Sequence, residues 1–174
     1  MKANIKYILL FLVAAAIAGG FRFISEIPNF SPMLAIALFS GIWFSDKKLA
    51  FGIPLLAQFG TDLYFGLHES MWAVYLSFAL VIFIGQKYNQ NSTLLKSIVS
   101  ITVGSVIFFI LTNFSVWALT SFYPKNIAGI IECYTLAIPF FRNTLLSGLI
   151  FTPVLFGLNA FISEDVKEAQ KVKI

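Results

Sequence analysis

The chain is 174 residues long, 59% hydrophobic and only 11% charged, with a mean hydropathy of +0.87. A soluble globular domain carries about 25% charged residues, so the composition excludes that class and points to one integral membrane domain. The net charge of +4 comes from lysines set between apolar runs rather than from a basic strip, which argues against nucleic acid, and a single cysteine excludes an internal disulfide framework.

Residues Met1 to Ile24 open with Lys2 and Lys6 and run through AAAIAGG. A basic start, an apolar core and small residues are the marks of a cleaved leader. The apolar run continues through Phe21, Phe23 and Ile24, however, and predicts a retained helix. Ala14 and Ala18 repeat at four-residue spacing, as do Ala15 and Gly19. Such a strip admits another helix closely, either inside the bundle or as a docking face for a partner, and both readings stay open.

Glu26 to Pro32 reads as a loop, stopped by two prolines. Five further apolar runs follow: Met33 to Phe44, Leu49 to Gly66 with Pro54, Gln58 and Asp62 inside it, Met71 to Gly85, Ser97 to Thr120, and Tyr134 to Ala160. SDKK, a brief loop at Leu67 to Ser70, and the polar stretch from Gln86 to Ser92 separate them. Residues 1–162 thus form one transmembrane domain, and 163–174 a charged cytoplasmic tail. The second and fourth runs fall short of the ~20 residues a span usually needs. The lysines decide the count: six spans place Lys2, Lys6, Lys47, Lys48, Lys87, Lys96, Lys167, Lys171 and Lys173 on one side, as the positive-inside rule requires. The expected fold is an all-α membrane protein of six transmembrane helices with both termini cytoplasmic, multi-pass in a bacterial inner membrane.

That topology gathers costly polar groups in one layer near the outer face. Asp62, Asn113 and Arg142 fall on the order of 6 to 12 Å below the ends of their runs. An arginine at the centre of a bilayer costs roughly 2.5 to 3.5 kcal/mol on insertion scales, so something must compensate Arg142. One reading is structural: Arg142 pairs with Asp62, while Asn113 and Asn143 cap backbone groups freed by Pro139. The other is an outward-open pocket in which Arg142, Asn143, Asp62, Asn113 and the loop residue Asn29 orient a small polar ligand against Trp72, Trp117 and Tyr134. On that reading Arg142→Ala lowers ligand affinity without unfolding the protein. Cys133 with His68 has the chemistry of a soft metal site, but a lone cysteine is more often a small buried hydrophobe, and no metal site is expected. No nucleotide-binding loop, HExxH helix or serine elbow is present, so neither an enzyme nor a cofactor is expected.

The segments PNFSPMLAIALFSG (Pro28 to Gly41), FFILTNFSVW (Phe108 to Trp117) and PFFRNTLLSGLIFTPVLFG (Pro139 to Gly157) resemble an uncharacterised family of bacterial transport-protein candidates, a domain of unknown function. That family is in turn similar to the S-components of energy-coupling-factor (ECF) vitamin transporters. The resemblance implies capture of a vitamin, cofactor precursor or trace metal complex near the outer face, between the loops joining helices one to two, three to four and five to six. It also implies that Ala14 and Ala18 meet a transmembrane coupling subunit with ATPases, although a solitary S-component is a known alternative. The rival class is a non-transport membrane scaffold or assembly protein acting through helix–helix contacts. It predicts no ligand pocket.

Overall fold

The computed structural model describes residues 5–88 and 91–171, with side chains for 8–9, 11–88 and 91–158. Among the described residues there are six α-helices and no strand: α1 (Ile5–Ile24), α2 (Met33–Trp43), α3 (Lys47–Phe65), α4 (Met71–Gln86), α5 (Leu94–Leu119) and α6 (Ile127–Lys171). Among the described residues two segments, Leu94–Leu119 and Ile127–Leu158, are long and apolar enough to cross a membrane. The α1–α2, α3–α4 and α5–α6 connections gather at one end of the bundle. The α2–α3 and α4–α5 connections lie at the other, with Lys47, Lys48, Lys87 and Lys96.

The helix boundaries follow from local chemistry. Pro32 stands at the N-cap of α2, Asp46 accepts from the Lys48 N–H at the start of α3, and Thr93 accepts from the Lys96 N–H at the start of α5. The last helix departs from the sequence expectation: it begins at Ile127, seven residues before Tyr134, and it continues through Lys171. The early start comes from Asn126, whose Oδ1 accepts the Gly129 N–H at 2.9 Å. An asparagine N-cap inside a stretch rich in turn formers reads as loop until the cap is seen.

Helix α5 sorts its side chains, with mostly small and polar groups inward beside Ile101 and large apolar groups outward. On α5, Ser97, Ser100, Gly104, Ser105 and Ser115 face the interior, while Leu95, Val99, Val103, Val106, Ile110 and Phe114 form an exposed stripe along the whole helix. Small inward residues let helices approach closely, and a stripe of that size is what a lipid-facing helix presents.

The shortest helix sits at the centre. Ten of the eleven α2 residues are buried, from Met33 to Ile42. It meets α4 backbone to backbone: a Cβ added to Gly41 would lie 2.0 Å from the Ile82 carbonyl oxygen, and one added to Gly85 would lie 2.2 Å from that of Leu38. These contacts fix the register of two helices running in the same direction. Following both back from the crossing, Met33 falls level with about Leu76, roughly 7 Å below the start of α4 at Met71. A helix stopped early by prolines therefore leaves a recess above its N-terminus.

Candidate functional site

The recess is a cavity of about 810 Å³ at the end where the α1–α2, α3–α4 and α5–α6 connections meet. Its floor includes Met33 and Leu34 of α2, and its walls carry Phe78 of α4, Phe108 of α5 and Phe140 of α6. One side is formed by the α1–α2 loop, which is held against α6: the Asn143 side-chain amide donates to the Pro28 carbonyl at 3.0 Å, and the Ser147 hydroxyl to that of Ser31 at 2.8 Å. Asn29 in this loop takes a left-handed φ of 59°, a conformation asparagine tolerates better than most residues. Cavity size and apolar walls are those of a small-molecule site.

A hydrogen-bonded ion pair sits where α1 and α3 end. Arg22, on the last turn of α1, donates through Nη1 to Asp62 Oδ1 at 2.9 Å and to the Thr61 hydroxyl. The Gln58 amide nitrogen reaches the same carboxylate at 2.9 and 3.2 Å, and the Tyr75 hydroxyl donates to Asp62 Oδ2 at 2.9 Å. Asp62 is only 2% exposed, and these three donors satisfy both of its oxygens. Its buried charge is thereby paired and hydrogen-bonded, which is the condition for its survival in an apolar interior. The Arg22 guanidinium also lies 5.2 Å from the centre of the Phe65 ring. Arg22, Gln58 and Phe65 line the cavity, so this network forms part of its wall.

The sequence matches the family of unknown function DUF6580 over residues 1–170. The chain belongs to that family. No curated protein and no solved structure matches it.

The residues singled out in the sequence divide into four groups. Asn113, Asn29 and His68 line the cavity; Asp62 stands one layer behind it; Asn143 anchors a loop that walls it. Arg142, Trp72, Trp117 and Tyr134 do not line it. The expected Arg142–Asp62 pair is replaced by Arg22–Asp62, and Arg142 is exposed. The reason is helical phase. Cys133, Ala137, Thr144, Ser147 and Thr152 mark the buried face of α6, and Arg142 lies two residues before Thr144, on the opposite side. Nor do Asn113 and Asn143 cap groups freed by Pro139. Asn113 donates to the Phe109 carbonyl of its own helix at 2.7 Å, and Asn143 to the loop.

The aromatic expectations are corrected in the same way. Trp117 Nε1 donates to the Pro124 carbonyl at 3.0 Å, the Tyr134 hydroxyl to the Ile110 carbonyl at 2.7 Å, and Trp72 is 45% exposed. Phenylalanines, not tryptophans, furnish the cavity walls. Lys125 reaches the Trp117 and Thr120 carbonyls and so closes the C-terminal end of α5. Cys133 is buried, with its Sγ against the Asn113 carbonyl, and no cluster of metal-ligating side chains occurs among the described residues. Of the small-residue strip, Ala18 is 1% exposed and covered by the chain's own helices, and Ala14 is half-buried against the core.

Sequence reasoning missed Arg22 and Gln58. A usable signal existed for Arg22: it stands two residues from the end of α1 and Asp62 three from the end of α3, so equal depth makes it a candidate partner beside Arg142.

Proposed function

We propose that this DUF6580 member is a six-span membrane protein that captures a small nutrient at the end of the bundle opposite the lysines. The cavity above α2 carries this reading: about 810 Å³, phenylalanine in its walls, and polar side chains including Arg22, Gln58, Asn29, His68 and Asn113 in its lining. Support for the membrane setting comes from the exposed apolar stripe on α5 and from the lysines at one end, which would face the cytoplasm. The likeness to S-components fits a pocket built from the same three connections. An energising partner, where one is used, would meet the exposed Leu12, Val13 and Ile17 of α1 rather than the covered Ala18.

The test is native mass spectrometry of protein purified in mild detergent from its own host. A discrete small-molecule adduct in the wild type, absent from a Val74→Trp variant that fills the cavity, is the expected result. Apo protein accompanied by a stable membrane-protein partner would overturn capture in favour of a scaffold.

A further inference from the structure

Gln58 is 94% buried by its 6% residual exposure, yet it lines the cavity. Its orientation is determined by Asp62: a carboxylate only accepts, so the amide nitrogen must face Asp62, and Oε1 points away from it. Oε1 makes no hydrogen bond with the described residues, and it is not among their fully enclosed unpaired atoms, so it opens on the cavity. Arg22 stands beside it, because both side chains donate to the same oxygen, Asp62 Oδ1, at 2.9 Å. Only Nη1 of the guanidinium is engaged in hydrogen bonds with the described residues, which leaves further N–H donors on a side chain that lines the cavity.

The wall thus offers a donor and an acceptor next to each other. The patch itself carries no net charge, since Arg22 and Asp62 neutralise one another, and the acidic side chain in the lining, Glu69, belongs to the α3–α4 connection. An anion at this patch would find Arg22 already paired with Asp62 and would share the cavity with the Glu69 carboxylate, and a cation there would face Arg22, so charge of either sign carries a desolvation cost that the patch does not offset. Phe65, Phe78, Phe108 and Phe140 also line the cavity, and their faces suit a flat ring.

The geometry points to an uncharged, planar ring compound with a cyclic amide edge, its carbonyl accepting from Arg22 and its adjacent N–H donating to Gln58 Oε1. This rests on the capture reading above and adds the ligand class. An amide edge matches both wall groups at once, whereas a ligand lacking the N–H leaves Oε1 buried without a partner.

The experiment is equilibrium dialysis of the full chain in detergent against four probes: 2-quinolone, N-methyl-2-quinolone, quinoline-2-carboxylate and naphthalene. The first is expected to bind about tenfold more tightly than the second, the ratio set by one buried hydrogen bond. In Gln58→Leu that preference should vanish while naphthalene binding stays within about twofold, which shows that the cavity is intact. Equal binding of all four, or preference for the carboxylate, would overturn the amide edge and leave capture standing. Failure of all four probes with a native adduct present would also overturn the class alone. Failure of all four together with apo protein would remove both readings.

Discussion

The two ends of α2 solve opposite problems with the same eleven residues. At its C-terminal end Gly41 and Gly85 bring two backbones into contact and leave no space; at its N-terminal end the helix stops short of its neighbours and leaves a cavity. The closed end depends on the absence of side chains. The open end depends on ions that neutralise each other within its wall. Tightness therefore comes from glycine, while the open end combines a short helix with a paired charge in its wall, and the two ends should fail differently when altered.

The largest effect is expected at the closed end. Gly85→Leu drives a side chain into the Leu38 carbonyl, a contact no rotamer can relieve, and should cost about 3 kcal/mol or more, read as loss of folded protein in a detergent denaturation series. At the open end Asp62→Ala leaves Arg22 without its counter-ion. A loss of roughly 3 kcal/mol is expected, and the double variant Arg22→Met/Asp62→Leu should recover most of it in the same measurement. Asn143→Ala removes one bond to the α1–α2 loop, with an expected loss of about 1 kcal/mol and faster proteolysis within 25–31. Arg142→Ala should change stability by less than about 0.5 kcal/mol and leave ligand capture unchanged. Equal destabilisation by Arg142→Ala and Asp62→Ala would break the comparison, since it would put Arg142 back in the ion pair.

Helix positions were largely legible because prolines, glycines and lysines punctuate the apolar runs. The runs expected from Met33 and Met71 begin where α2 and α4 do, and that expected from Ser97 starts three residues inside α5. Partners were less legible. Asp62 announced its need for a cation, but two arginines stood at plausible depth, and only the rotation of α6 distinguishes them. That rotation is itself written in Cys133, Ala137, Thr144 and Ser147, small residues at helical spacing, once they are treated as the inward face rather than as incidental polarity. The phenylalanine walls were invisible for a simpler reason: twenty phenylalanines are spread along the chain, and periodicity does not say which of them surround a void. The void follows from the length of α2.

That length has an electrical meaning if the bundle spans a bilayer. Eleven residues rise about 16 Å, while the hydrocarbon layer is about 30 Å thick. Water filling the recess would carry the external potential down to Met33, so the membrane voltage would drop mainly across the remaining glycine-closed layer. A charged ligand seated at the floor would feel a substantial fraction of the ~2.3 kcal/mol per 100 mV that a full crossing involves. A neutral ring would feel none of it, and its retention would be the same in energised and depolarised cells.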